Sequence, residues 1–216
     1  YGHAEEPGSP QLTVEEMRAG VEEAHKANRK VAAHAYSVIA INNALAAGVD
    51  SIEHGSFLDR QTAERMREEG KYLVPTVSVY AAMSEKGPEL GAPDYIQRKT
   101  AEVLEASREA FRLALEVGIP VAAGTDCGAP GHPHGTLPEE LRLMVEAGAR
   151  PAQALSFGTV AAAELLGLDN ELGTLEPGKK ADLLAVGGDP LKDIGALREV
   201  RLVVCDGIEV HSSERA

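Results

Sequence analysis

The sequence predicts an α/β fold, the carboxyl-terminal half of a (β/α)8 barrel. Three short runs of small or β-branched residues, 31–35, 51–55 and 120–126, each contain or end in a polar side chain. Runs of this length are typical of strands buried on both faces of a parallel sheet. With a further strand predicted over 71–80 and helical patterns between the strands, they make four βα units. A complete barrel needs about 250 residues, so we expect the other half to lie upstream of Tyr1.

Composition excludes several classes of function. A net charge of −13 disfavours binding to nucleic acids and to anionic membrane surfaces. The sequence contains no run of 18 apolar residues, so it predicts no membrane span. Cys127 and Cys205 follow no pairing pattern, which favours a reducing compartment, here the cytoplasm. The first residues are neither a signal peptide nor an initiator methionine, and we expect a cut through a longer protein.

Helix signals occur between the strands and after them. Residues 1–12 are rich in proline and glycine and predict a loop. Thr13 and Glu16 form a capping box, and Gly48 is a helix stop. Residues 84–94 predict a surface excursion, a candidate lid. The predicted helices are 13–28, 38–47, 59–70, 94–117, 137–148 and 151–167.

The residue pattern changes after Gly167, from helical periodicity to turn and strand signals. Residues 173–186 are turn-rich and then strand-like, and 201–210 predict a hairpin with Asp206-Gly207 at its turn. The predicted organisation is therefore a half barrel over 1–168 and part of a small β domain over 169–216.

Three predicted strands bring metal-competent side chains to one edge of the sheet: His34, His54 and Asp126. Alone, either histidine is better explained as a hydrogen-bonded core residue. Together they fit a catalytic divalent metal, because imidazoles bind a zinc-like ion and leave a position open for water. A strand-end carboxylate can then carry the proton.

Other candidates are weaker and keep alternative interpretations. His132 and His134 form a His-x-His pair, but in a proline- and glycine-rich loop, which favours a loop or substrate contact over a metal ligand. Tyr36 is expected near His34, as a substrate contact or as packing, and Tyr80 is a weaker candidate of the same kind. Cys127 follows Asp126 without an organised histidine partner, which favours an inert buried thiol over a nucleophile.

These strings resemble the amidohydrolase superfamily. Val-Ala-Ala-His-Ala at 31–35, Ser-Ile-Glu-His-Gly at 51–55 and Gly-Thr-Asp at 124–126 are similar to barrel strands five, six and eight. The tail, from Gly-Thr-Leu-Glu-Pro-Gly-Lys-Lys-Ala-Asp-Leu at 173–183 to Gly-Asp-Pro-Leu at 188–191, resembles the imidazolonepropionase-related, prolidase-like branch.

The resemblance implies a metal-dependent hydrolase of C–N bonds, with a barrel and a small β-sandwich made from both chain ends. It implies His34 and His54 as metal ligands, and Asp126 as a metal ligand and general base that acts on metal-activated water. Tyr36, with His134, is expected to contact a small amide or dipeptide substrate. Zinc is the first candidate for the metal, as one or two ions, and the oligomeric state stays open, a homo-oligomer included.

One departure from the family leaves an alternative function open. The strand-one His-x-His pair and the strand-four lysine have no counterpart at a suitable place in this sequence. The chain is then either the carboxyl-terminal part of an active hydrolase or a catalytically incomplete piece that is inactive without the missing half. A non-hydrolytic scaffold is disfavoured by the retained His34, His54 and Asp126.

Overall fold

The computed structural model describes residues 8–213 and contains a parallel sheet beside a small antiparallel one. Strands β1 (Ala32–Ala35), β2 (Ser51–His54) and β3 (Tyr72–Val74) are parallel and adjacent in that order. The predicted strand over 120–126 is reduced to a single parallel bridge between Val121 and Leu73. Tyr1 and the first seven residues of the predicted loop over 1–12 lie outside the described residues.

Helices occupy the connections that the sequence predicts. The capping box of Thr13 and Glu16 is present at the first helix, and Gly48 ends the second in the left-handed conformation. The helix predicted over 94–117 has those bounds. The helices are α1 (Val14–Lys26), α2 (Val38–Ala47), α3 (Arg60–Glu68), α4 (Val77–Lys86), α5 (Asp94–Val117), α6 (Leu137–Glu146), α7 (Pro151–Phe157) and α8 (Val160–Leu166).

The strand prediction over 71–80 is wrong beyond Val74. Pro75 has no N–H for a sheet ladder, and Thr76 turns into the left-handed conformation with φ 47° and ψ 44°. Residues 77–80 then begin helix α4. The predicted excursion over 84–94 shortens accordingly to the segment 87–93 between α4 and α5.

The single helix predicted over 151–167 is two helices. The chain breaks at Thr159, whose φ and ψ are −131° and −90°. Its hydroxyl donates to the carbonyl of Leu155 at 2.7 Å, and such a bond from a threonine to the preceding turn competes with the regular helix.

The antiparallel sheet consists of β4 (Leu183–Val186), β5 (Val200–Cys205) and β6 (Ile208–Ser212) in that order. The predicted hairpin is confirmed, with Asp206 and Gly207 at φ 50° and 78°, as a type I′ turn requires.

The main core lies between one face of the parallel sheet and the surrounding helices. Ile52 and Leu73 are fully buried there against residues such as Phe111 and Met144, each such side chain contributing about 1.5–3 kcal/mol by burial. On β1, by contrast, His34 is exposed, so it stands clear of this core. In residues 8–213 no helix has the length and apolarity needed to cross a bilayer.

Candidate active site

Two imidazoles face each other at the carboxyl ends of β1 and β2. Nδ1 of His34 lies 2.7 Å from Nε2 of His54, and the ring centroids are 4.2 Å apart. Register explains the meeting: His34 pairs with Glu53 and Ala35 pairs with His54. Since parallel strands end at the same edge of a sheet, neighbouring strand ends bring their side chains together.

The far side of the His54 ring is held by hydroxyl groups. Its Nδ1 lies 2.6 Å from Thr76 Oγ1 and 2.8 Å from the hydroxyl of Tyr80. Burial, with a smaller contribution from the neighbouring His34, lowers the pKa of His54 to about 3, so the ring is neutral at pH 7. A neutral imidazole that donates from Nδ1 presents the Nε2 lone pair toward His34.

Tyr36 lines this site. Its ring stacks on His54 with a centroid distance of 4.9 Å and an interplanar angle of 6°. Its hydroxyl lies 2.7 Å from that of Tyr80, which comes from α4 and not from the predicted strand. A buried chain of hydroxyls therefore runs from Tyr36 through Tyr80 to His54, while the role of Tyr36 toward substrate stays a prediction.

Asp126 lies within electrostatic range of His34 and Glu53. His34 is exposed as a whole residue, but partial desolvation of its ring lowers its pKa, and the carboxylate of Asp126 opposes part of that shift. Burial likewise raises the pKa of Glu53; the hydroxyl of Ser51, 2.6 Å away, opposes the rise and Asp126 adds to it. Asp126 itself is exposed, so its carboxylate is accessible to solvent and to a small molecule.

Backbone strain is concentrated at the ends of the strand segments. His54, Thr76 and Asp126 have φ values of 71°, 47° and 50°. A left-handed conformation costs a non-glycine residue roughly 1–2 kcal/mol, and such residues persist where the surrounding structure holds them in place, often at functional sites.

The His-x-His pair of the following loop divides into two unrelated contacts. His132 is buried, and its Nε2 donates to the carbonyl of Thr125 at 2.8 Å. His134 is exposed, with Nδ1 3.1 Å from Sγ of Cys127. The expectation that Cys127 is buried without a histidine partner is therefore wrong: this free thiol is only partly buried and contacts His134. The substrate role of His134 stays a prediction.

Sequence reasoning missed two residues of the site. Thr76 had no signal beyond its place after Pro75. Glu140 is fully buried and accepts hydrogen bonds from the N–H groups of Val77 and Ser78 at 3.0 and 2.7 Å. Its helix is amphipathic in sequence, and nothing in that pattern distinguishes Glu140 from its surface neighbour Glu139.

The donor set fits a divalent cation in part. The imidazoles of His34 and His54 supply two facing nitrogens, both with lowered pKa values, and nitrogen is a preferred ligand of zinc. Two such ligands on a tetrahedral ion stand roughly 3.3 Å apart, so the pair would open by about 0.6 Å. Over residues 8–213, no three His, Cys, Asp or Glu side chains converge closely enough to form a ligand set.

A model of the amidohydrolase family matches residues 2–210. The chain belongs to the amidohydrolase family. The resemblance to the amidohydrolase family, predicted from the three strings and from the tail, is thereby confirmed.

Similar proteins include an ochratoxinase, a Xaa-Pro dipeptidase and a prolidase. Ochratoxinase from Aspergillus niger is 34% identical over 199 residues, which is 91% of this chain and 40% of that protein. A Xaa-Pro dipeptidase structure with methionine in its active site is 39% identical, with a TM-score of 0.88, over 95% of this chain and 50% of the other. A prolidase complexed with N-methylphosphonate-L-proline is 34% identical, with a TM-score of 0.87, over 94% of this chain and 50% of the other. The amidohydrolase chain thus spans about half the length of these structures.

Proposed function

We propose that this amidohydrolase belongs to an enzyme that hydrolyses the amide bond of a small dipeptide-like substrate. The observation that carries the proposal is the facing pair of neutral imidazoles, His34 and His54, with the carboxylate of Asp126 close enough to act on both His34 and Glu53. His34 and His54 would hold a divalent cation, zinc first among the candidates. Asp126 is the residue we propose as a third ligand, although within residues 8–213 it does not converge with the two imidazoles into a ligand set.

The proposed architecture follows from the same strand ends. We take β1, β2, β3 and the segment bridged to β3 through Val121 as strands five to eight of a (β/α)8 barrel, and residues 169–216 as part of a β-sandwich. The exposed side chain of His34 on β1 and the match to about half of each solved relative support this assignment. The remaining strands would supply further ligands and substrate contacts.

A bound cation would supply activation of water and polarisation of the scissile carbonyl. Asp126 would accept the proton of the attacking water and return it to the nitrogen of the leaving amine, as a general base and then a general acid. Thr76 and Tyr80 hold the His54 ring, so that its Nε2 stays directed at His34. Such outer hydrogen bonds fix the orientation and the tautomer of a metal-binding histidine.

Substrate class is proposed from the relatives and from the walls of the site. A Xaa-Pro dipeptidase and a prolidase bound to a proline phosphonate are among the solved relatives, which favours a dipeptide with a free carboxylate. Tyr36 and His134 are the residues of this chain that we propose for contact with that substrate. Tyr36 stacks on His54, and His134 contacts Cys127, the residue after Asp126.

The test is the Asp126→Asn substitution in the intact protein with an Xaa-Pro dipeptide as substrate. An amide accepts no proton under these conditions, so we expect kcat to fall by at least about 100-fold, within the usual range for a general base. His25→Asn, which removes an exposed imidazole paired with Asp50, is the control and should leave kcat unchanged. Unchanged turnover of the Asp126 variant at saturating metal would reject the assignment.

A second candidate is that a chain of these 216 residues alone is catalytically incomplete. It is favoured by the lack of a three-residue ligand set between residues 8 and 213 and by the half coverage of the relatives. Metal analysis of the isolated chain decides between them: a full equivalent of tightly held metal together with turnover would reject this candidate.

A further inference from the structure

Helix α4 begins without the cap that its own sequence provides. Thr76 occupies the N-cap position, where a threonine hydroxyl normally accepts a hydrogen bond from the first turn. Here Thr76 is in the left-handed conformation and makes no such bond. Its hydroxyl instead lies 2.6 Å from Nδ1 of His54. The first N–H groups of α4 therefore need another acceptor, because they are buried.

Glu140 supplies that acceptor from helix α6. Its carboxylate accepts from the N–H of Val77 at 3.0 Å and from the N–H of Ser78 at 2.7 Å, one bond to each oxygen. The side chain is fully buried, 63 residues along the chain from the first of these partners. The helix dipole at this end favours the carboxylate form of Glu140, while burial of the side chain opposes it.

We infer that Glu140 is a positioning residue of the site: its carboxylate caps α4 in place of Thr76 and so leaves the Thr76 hydroxyl free to hold His54. The inference rests on the proposed function insofar as it takes His54 as a metal ligand. Without the bonds from Glu140, the hydroxyl of Thr76 becomes the nearest replacement acceptor for the first turn of α4, and His54 loses one of the two hydroxyl partners of its Nδ1.

A second contact links Glu140 to the strand end that carries Asp126. The Ser78 side chain also bonds to Glu140, and its Oγ lies 3.3 Å from Nε2 of His132. That same nitrogen donates to the carbonyl of Thr125, the residue before Asp126. Glu140 thus supports both sides of the site, with the shorter bonds on the His54 side.

The primary experiment compares Glu140→Gln with Glu139→Gln in the intact protein. Glu139 is the adjacent residue, and it forms ion pairs with Arg142 and Arg198 at the surface, so its variant controls for the loss of a carboxylate from α6. We expect the Glu140 variant to weaken zinc binding by about tenfold, the lower end of the range for outer hydrogen bonds, and the Glu139 variant to change it less than twofold.

A second measurement keeps this inference separable from the proposed function. In the metal-free protein, imidazole ¹⁵N–¹H correlation spectra report the tautomer and hydrogen bonding of His54. We expect these resonances to move in the Glu140 variant and to stay in place in the Glu139 variant. If they move while the wild-type protein binds no zinc, the positioning role stands and the proposed function falls.

The Thr76→Val variant tests whether Glu140 acts through Thr76. If it does, the double variant with Glu140→Gln should bind zinc no more weakly than the weaker of the two single variants, because coupled residues are not additive. Should Glu140→Gln not fold, Glu140→Asp, which keeps the charge and withdraws it by one methylene, replaces it in both measurements. A folded Glu140 variant with wild-type His54 resonances and wild-type zinc affinity would overturn the inference.

Discussion

The hydrogen bond between Thr76 and His54 can be removed with almost no change in side-chain shape. Thr76→Val replaces the hydroxyl at 2.6 Å from Nδ1 with a methyl group. Valine is also β-branched, so the backbone cost of the left-handed conformation is the same in both proteins. Of the two hydroxyls on Nδ1, only that of Tyr80, at 2.8 Å, remains.

The size of the effect follows from burial. His54 is 3% exposed, so water does not readily replace the lost partner. Leaving a buried donor with poorer satisfaction costs about 1–3 kcal/mol, which corresponds to about 5- to 150-fold in an equilibrium constant. We expect zinc affinity to fall by about tenfold and kcat to fall with it, because the ring no longer holds Nε2 toward His34.

The assay is competition for zinc with a chromophoric chelator, together with thermal unfolding. Thr62→Val is the matched control, because Thr62 is also buried and its Oγ1 accepts a hydrogen bond from Asn42 at 2.9 Å in the helical layer. Both variants should lose stability, but only the Thr76 variant should lose zinc affinity. Equal zinc affinity in the two variants would refute the proposed orienting role of Thr76.

Three further predictions follow from other parts of the structure. Burial raises the pKa of Glu140 to about 7 from 4.5, so between these pH values the folded state holds a proton that the unfolded state has lost. The free energy of unfolding should therefore fall by up to about 3 kcal/mol as the pH rises from 4.5 to 7. Urea titrations should show that this pH dependence is absent in Glu140→Gln, and an equal pH dependence in the two proteins would contradict the assignment. Gly124→Ala places a Cβ 2.6 Å from Val74 Cγ1, so it should displace Asp126 and lower both melting temperature and kcat; a wild-type kcat would show that the strand end tolerates the shift. His134→Ala should raise KM for an Xaa-Pro dipeptide about fivefold, as expected for one hydrogen bond of about 1 kcal/mol, with unchanged metal content; loss of metal would instead place His134 among the ligands.

Local signals predicted the elements that local interactions stabilise. Thr13 and Glu16 satisfy each other across one helical turn, and Gly48 ends α2 in a conformation that favours glycine. The hairpin at Asp206-Gly207 likewise needs only its own two residues. In each case the residue that determines the structure lies within a few positions of the element itself.

The sequence prediction was wrong for helix α4 because the contact that stabilises this helix is not local. The alternation Val77, Ser78, Val79, Tyr80 is typical of a strand, and the residue that stabilises the helix is Glu140, 63 positions from Val77. The same separation along the chain explains which residues of the site could be predicted. His34 and His54 could be predicted because each stands at the end of its own strand, whereas the partners of His54 depend on a contact between distant helices.

Heat resistance and the proposed catalysis make opposite demands at Asp126. Its side chain is exposed, so glycine would adopt the left-handed backbone there at a saving of roughly 1 kcal/mol without leaving a buried cavity, and stability and activity commonly trade off at such positions. An engineer who selects variants only for survival at high temperature should therefore recover glycine or asparagine at Asp126. The buried His54 and Thr76 should be retained, because their loss would leave a cavity and break a hydrogen bond. The selected protein would be more stable and would have lost the carboxylate that we propose as the proton carrier.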